Sequence, residues 1–207
     1  KIIEQYQPDL VFSDIAMPGV DGLKMIAGLK SEFPDMEISI LTGYRDFEYA
    51  QEAVRLGVRR FLLKPSSMKE IEEAVEAMVQ GLEKKAAISK AEEPKEKCDM
   101  ANSFIVKNAM RYIENHYTER LTLLEVAEQT YVSQWHLSKL LNKHTGHSFS
   151  ELLNRTRIAK AQELLKEQSL RIGDIAEQVG FLDMAHFSRV FKKIVGMSAN
   201  EYRNMMS

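Results

Sequence analysis

One short pattern is written twice in the last third of this chain. From Ser133 to Asn154 the sequence runs SQWHLSKLLNKHTGHSFSELLN, and from Asp183 to Asn204 it runs DMAHFSRVFKKIVGMSANEYRN. At an offset of fifty residues, seven of these twenty-two positions are identical: His136/His186, Ser138/Ser188, Lys143/Lys193, Gly146/Gly196, Ser148/Ser198, Glu151/Glu201 and Asn154/Asn204. Upstream the offset is forty-nine, with Leu121 matching Leu170 and Ala127-Glu128-Gln129 matching Ala176-Glu177-Gln178. The second copy therefore has one extra residue between its two halves. A repeat of this kind is one supersecondary unit used twice, which restricts the C-terminal part of the chain to two equivalent modules.

Each copy reads as two short helices joined by a tight turn. In the first, Thr122 and Glu125 form a capping-box pair ahead of an apolar set, Leu123, Leu124, Val126 and Ala127. Ser133 is placed to cap a second helix, whose Leu137, Leu140 and Leu141 fall on one face. In the second, Ile172, Ile175, Ala176 and Val179 build the first helix and Gly180 supplies the turn. Asp183 then caps a helix with Phe187, Val190 and Phe191 inward. Arg171 stands where the first copy has Thr122, so a weaker cap is expected there. An amphipathic second helix with polar residues outward describes a helix-turn-helix.

Charge separates this region from the rest. Residues 1–102 carry 14 Lys and Arg against 19 Asp and Glu, a balance of −5, whereas residues 103–207 carry 14 against 11, or +3. The basic half is the half with the repeat, which suits nucleic-acid binding. With 44 % hydrophobic and 28 % charged residues the composition is that of an ordinary globular protein. No apolar run reaches the roughly 18 residues of a membrane helix and no signal-peptide pattern is present, so a cytoplasmic protein is expected. Cys98 is the single cysteine, which excludes an internal disulfide, and its charged surroundings suggest an exposed thiol.

Residues 1–85 follow a different rhythm. A helical pattern (Ile2, Ile3, Tyr6) looks already under way at Lys1 and suggests that an upstream portion is absent. Pro8 ends it, and Leu10-Val11-Phe12 reads as a buried parallel strand ending in Ser13-Asp14. Turn chemistry at 17–22, a helix at about 23–30, a strand at 38–41 ending in Thr42-Gly43, a helix at 46–56 and a strand at 61–63 ending in Lys64-Pro65 complete an α/β alternation. Ligands of doubly wound sheets sit beyond the carboxyl ends of the strands, and here those ends present Asp14, Thr42 and Lys64. A carboxylate nucleophile, a hydroxyl donor and an ammonium group make a phosphoryl site.

The run SDIAMPGVDGL, followed by ILTGY and GVRRFLLKP, resembles the receiver domain of two-component response regulators over residues 1–85. The resemblance implies a flavodoxin-like α/β fold, incomplete here, with Asp14 as phosphoacceptor and Thr42, Phe61 and Lys64 as switch residues. It implies a cis Lys64-Pro65 bond and a sensor histidine kinase as partner. Receivers also hold Mg²⁺, through the phosphoacceptor, a backbone carbonyl two residues on (Ala16) and an acidic pair on a first strand. That strand has no counterpart in this sequence. Mg²⁺ demands near-ideal octahedral oxygen coordination. The chain is therefore expected to bind no metal, to be phosphorylated inefficiently, and to expose a sheet edge that pairs with a partner chain or destabilises it.

A helix from Ser67 to about Lys85 carries Ile71, Val75, Met78 and Leu82 at intervals of four, three and four. That stripe fits either a coiled-coil seam or packing on the sheet. Residues 86–102 are charge-dense and read as a linker, in which Pro94 is expected to interrupt any continuous helix, and a helix over 103–117 then opens the second domain.

Residues 103–207 resemble the DNA-binding domain of the AraC/XylS family of transcription regulators, most specifically in GFLDMAHFSRVFKKIVGMSANEYR. The resemblance implies an all-α domain with two helix-turn-helix units, 121–146 and 170–196, and double-stranded DNA as partner. A joining helix over 149–167 spans ~28 Å at 1.5 Å per residue. That approaches the ~34 Å between successive major grooves. Outward positions are Gln134, Trp135, Ser138, Lys139 and Asn142 in the first recognition helix, and Met184, Ala185, His186, Arg189 and Lys192 in the second. Lys139 and Arg189 occupy equivalent positions and are the candidate readers of guanine. Trp135 either touches a thymine methyl or tucks into the core. The first copy is expected to carry more of the base contact and the second more of the positioning. His144-x-x-His147 has metal-ligand spacing, but no cysteine or clustered acid completes a site.

These residues together predict a phosphorylation-controlled, homodimeric DNA-binding regulator that is not an enzyme. Two rival readings are a phosphoryl-transfer receiver with a protein-interaction tail and a regulator that works without phosphorylation.

Overall fold

The computed structural model describes residues 2–43, 47–88, 95–167 and 169–206. The chain forms two compact units, Lys1–Val106 with Thr130–Val132, and Lys107–Gln129 with Ser133–Ser207.

In the first unit helix α1 (Ile2–Tyr6) leads to strand β1 (Leu10–Ser13). Two-residue strands β2 (Ala16–Met17) and β3 (Val20–Asp21) then pair antiparallel around the Pro18-Gly19 turn, a small hairpin where the sequence suggested only a turn. Asp21 accepts a hydrogen bond from Lys24 N at 3.2 Å and caps helix α2 (Gly22–Glu32). Strand β4 (Glu37–Thr42), helix α3 (Phe47–Arg55), strand β5 (Phe61–Leu63) and helix α4 (Met68–Ile88) follow. The sheet is parallel in the order β1-β4-β5, with Ser13 beside Ile40 and Thr42 beside Leu63.

Strand β4 is the buried one. Ile38, Ser39, Ile40 and Thr42 are fully buried, whereas β1 is a half-exposed edge strand that, among the described residues, pairs with β4 alone. The expectation of a buried strand at 10–12 is corrected accordingly: its run of three apolar residues is too short to distinguish an edge from a centre. Helix α4 packs on the sheet through Ala74 and Met78, with Ser39 Oγ 2.7 Å from Met78 Sδ. Gly81 continues that face because a β-carbon there would lie against the Arg59 guanidinium and the Glu37 carboxyl. Of the two fates open to the apolar stripe of α4, sheet packing takes its inner face.

Glu37, the first residue of β4, is 1 % exposed and its carboxylate is surrounded by cations. Arg59 binds it through Nε at 2.9 Å and Nη2 at 3.0 Å, and Lys85 Nζ lies 2.9 Å away. Lys85 also donates to the carbonyls of Pro34 and Asp35, and Lys30 donates to that of Met36. This cluster ties the start of β4, the approach to β5 and the last turns of α4 together, at the end of the sheet opposite Asp14.

Helix α5 (Lys95–His116) begins eight residues earlier than expected. Its first turns lie in the charge-dense stretch read as linker, where Lys and Glu are themselves good helix formers. The Cys98 side chain, Tyr44 and Pro94 lie outside the described residues. After α5 come α6 (Leu123–Gln129), α7 (Gln134–Thr145), α8 (Phe149–Leu164), α9 (Ile172–Gln178), α10 (Met184–Val195) and α11 (Ala199–Met206). Helix α8 has sixteen residues, not nineteen, and so spans about 24 Å. Leu124, one of the apolar set read in the first helix of the repeat, is 53 % exposed. Val126 and Ala127 fill the inner arc of so short a helix, and Leu124 falls on the Glu128 side.

The core of the second unit is aromatic at its centre. Phe187 and Phe191 are fully buried with ring centroids 5.5 Å apart, and they are flanked by Phe181 and Tyr202 at 5.3 Å and 5.8 Å. Ile158, Leu165, Ile175, Ala176 and Val179 close around them. Gly180 turns the chain with φ of +89°, and a β-carbon there would meet the carbonyl oxygens of Thr118 and Tyr117 at 2.7 and 2.8 Å. The first copy makes the same left-handed turn with a tyrosine, Tyr131, at φ of +56°. That is an uncommon conformation for a side chain of this size.

Candidate phosphoacceptor site and nucleic-acid interface

The parallel strands bring Asp14 and Lys64 to one end of the sheet. Lys64 Nζ lies 2.7 Å from Asp14 Oδ2, so the ion pair reaches across the end of the central strand from β5 to β1. Thr42 closes that central strand, fully buried, and its carbonyl accepts Lys64 N–H at 2.8 Å. Phe61 is half-buried at the start of β5, beside Ile40. The Lys64-Pro65 bond is cis, as the resemblance implied. Chemically the arrangement offers a partly exposed carboxylate held by one ammonium, with a hydroxyl residue beneath.

A metal fits these residues less well. Lys64 already engages one Asp14 oxygen, and Ala16 is paired with Asp21 in the hairpin. Among the described residues no three His, Cys, Asp or Glu side chains come together to hold an ion. The donors in place are fewer than an octahedral Mg²⁺ site requires.

Helix α6 and the recognition helices α7 and α10 start at caps that the sequence announces. Thr122 N and Oγ1 donate to Glu125 Oε2 at 2.7 and 2.8 Å, and Glu125 N returns a bond to Thr122 Oγ1 at 3.3 Å. Ser133 caps α7 through His136 N, and Asp183 caps α10 through Ala185 N and His186 N at 3.0 and 2.9 Å. Those two N–H groups hold the Asp183 carboxylate below its usual range. Arg171 makes no side-chain cap, as its chemistry predicts. Leu137, Leu140 and Leu141 are buried, as are Phe187 and Phe191, while Val190 is half-buried.

Gln134, Trp135, Lys139 and Asn142 are exposed on α7, with Ser138 half-buried. On α10 Met184, Ala185, His186, Arg189 and Lys192 are all exposed. Trp135 is 71 % exposed, which removes the alternative of a core position, and Lys139 Nζ sits 5.2 Å from its ring centroid. Asn142 Nδ2 is turned back to the Ser138 carbonyl at 3.0 Å, and Arg189 Nε to the Ala185 carbonyl at 3.3 Å. His186 meets the buried Phe181 ring edge-on at 5.4 Å.

Comparison with known proteins decides the family. Residues 1–76 match the response regulator receiver domain and residues 126–205 a helix-turn-helix domain. An uncharacterized response regulatory protein of Staphylococcus epidermidis is 32 % identical over 99 % of this chain and 82 % of its own length. The chain belongs to the response regulators. The transcriptional regulatory protein HptR of Staphylococcus aureus is 31 % identical to this response regulator over 97 % of the chain and 81 % of its own length. The C-terminal domain of AraT, a response regulator from Geobacillus stearothermophilus, is 43 % identical over 49 % of this chain and 84 % of that structure, with a TM-score of 0.47. The architecture is a receiver followed by an AraC-type helix-turn-helix domain. Among the described residues no helix is long and apolar enough to cross a membrane.

Two features of the regulator were not read from the sequence. Arg157 on α8 is 9 % exposed, donates through Nε to the Tyr117 carbonyl at 2.7 Å and through Nη2 to the Glu119 carbonyl at 2.8 Å, and lies 5.5 Å over Phe181. Burial pushes its pKa down. It joins the end of α5 to the turn before α10, and nothing in the local sequence marks it. The second feature was in view. Ser148 with Glu151, and Ser198 with Glu201, are capping boxes that start α8 and α11, each with the serine N–H bonded to the glutamate at 2.9 and 2.8 Å. These bonds, with those from the serine hydroxyls, keep both carboxylates below their usual range. Gly146 and Gly196, with φ of +73° and +87°, close the recognition helices. Several of the repeated identities are thus helix stops and starts.

Proposed function

We propose that this response regulator is a transcription regulator that binds duplex DNA through both helix-turn-helix units and is controlled by phosphorylation of Asp14. The observation that carries the proposal is the presence, in one chain, of a lysine-held carboxylate at the end of a parallel sheet and two rigidly capped recognition helices with exposed polar faces. A sensor histidine kinase is the phosphoryl donor. The Asp14 carboxylate oxygen attacks phosphorus, the bond from phosphorus to the donor nitrogen breaks, and Lys64 pairs with the added charge. Thr42 is fully buried beneath, so contact between its hydroxyl and a phosphoryl group requires that strand end to rearrange. A rearrangement of this kind is how added charge biases a two-state element. The active form is a homodimer in the cytoplasm, and the chain performs no turnover of its own. The similarity to HptR, a transcriptional regulatory protein, supports the same reading.

Lys139 and Arg189 are the proposed base readers, with Gln134, Trp135, Ser138, Asn142, Met184, Ala185, His186 and Lys192 around them. The test has two arms. Affinity for duplex DNA should fall log-linearly with salt concentration; a salt-indifferent interaction contradicts DNA binding. Prolonged incubation with a small phosphodonor should add one phosphoryl group to a minor fraction of the chain by intact mass, in keeping with the inefficient transfer expected from the sequence, and none to Asp14→Asn. A gain that persists in that variant rules out Asp14.

A further inference from the structure

The residue that distinguishes the two copies of the repeat is Leu182. Helices α6 and α9 correspond at an offset of forty-nine, and so do the left-handed turn residues Tyr131 and Gly180 and the buried Val132 and Phe181 that follow them. From the caps Ser133 and Asp183 onward the offset is fifty. The extra residue therefore falls between Phe181 and Asp183. It is a leucine, and it is 91 % exposed.

That exposure belongs to a pinned segment. On one side Phe181 is buried, with its N–H bonded to the Ala176 carbonyl at 2.9 Å and its ring packed against Phe187. On the other, Asp183 is locked to the first N–H groups of α10. The turn therefore holds Leu182 outward at the entrance of the recognition helix. Met184, 45 % exposed, and Ala185 stand beside it in sequence, so three of the four residues 182–185 are apolar and face outward at the end of the helix that enters the groove. One helical turn on, Arg189 and then Lys192 and Lys193 supply cations, which fits a polyanionic partner rather than an apolar protein surface.

The major groove offers one apolar group among the standard bases, the C5-methyl of thymine. From the insertion, the pinned turn and the adjoining cations, we infer that Leu182 and Met184 read thymine methyl groups, and that the second unit selects a thymine-bearing half-site by apolar contact. The inference rests on the DNA-binding proposal above and changes the part expected of the second unit from positioning to base selection.

Replacing thymine by deoxyuridine removes that methyl and nothing else from the groove edge. The probe is the duplex that the full chain recovers from a randomised pool, with thymines changed to deoxyuridine one half-site at a time. Binding is expected to weaken about fourfold for each methyl covered, in one half-site only. Leu182→Ala, on a nearly fully exposed residue, should leave the fold and the salt dependence intact and shrink the discrimination; Leu182→Ala with Met184→Ala should abolish it. Equal affinity for thymine and deoxyuridine duplexes, or full discrimination in the double variant, overturns the inference while leaving DNA binding standing. Absence of salt-dependent binding to any duplex removes both.

Discussion

Replacing Phe191 with alanine is expected to cost about 3–5 kcal/mol, the range for deleting a fully buried aromatic side chain. Phe191 touches Phe187 and Tyr202 and sits among Ile158, Leu165 and Ile175, so truncation opens a cavity in contact with α8, α9 and α11 together. Few of these neighbours can collapse inward, because α10 is clamped at both ends, by Asp183 and by the left-handed Gly196. At a slope of about 2 kcal/mol/M the urea midpoint of this unit falls by roughly 2 M. Hydrogen exchange should accelerate over α8 and α10 and stay unchanged over β4. A midpoint shift below about 0.5 M, equivalent to ~1 kcal/mol at that slope, would place the Phe191 ring outside the core.

Glu37→Ala is the second large effect, at about 3–5 kcal/mol for removing one partner of a buried charge cluster. Arg59 and Lys85 lose their carboxylate, with Lys30 close by. The pH dependence follows from the direction of the Glu37 shift. Burial works to raise its pKa, but hydrogen bonds from Arg59 and Lys85 and the nearby charges outweigh burial, and the net value lies below the ordinary 4.5. A carboxylate depressed on folding adds stability that is present above its unfolded value and is lost as pH falls through the folded one. Stability measured for the wild type and Glu37→Gln should therefore differ at pH 7 and converge below about pH 4.5. A gap that stays constant down to pH 3 contradicts the assigned role.

What was legible in the sequence was local. The Thr122–Glu125 box, the Ser133 and Asp183 caps, the missing cap at Arg171 and the turn at Gly180 each depend on residues within four positions of one another, and each formed as read. The strand ends that bring Asp14 to Lys64 were legible because parallel βα alternation leaves few arrangements. Glu37 and Arg157 were not, since a hydropathy pattern assigns charged residues to the surface and their partners lie some 20 to 50 positions away, at Arg59, Lys85, Tyr117 and Glu119. Leu182 lies between these cases. The change of offset announced an insertion, but only the matched left-handed turns at Tyr131 and Gly180 and the caps at Ser133 and Asp183 showed which residue had been added.

The length of α8 bears directly on the claim that one chain occupies two grooves. At about 24 Å this helix is shorter than the ~34 Å between successive major grooves. Occupying two grooves therefore requires the recognition helices to supply the remaining reach. Interference footprinting on the selected duplex tests this most directly. The account predicts two blocks of major-groove contacts on one face, centred about 10 base pairs apart, both produced by a single chain. Lys139→Ala should weaken one block and Arg189→Ala the other. A single block lost equally in both variants would contradict it.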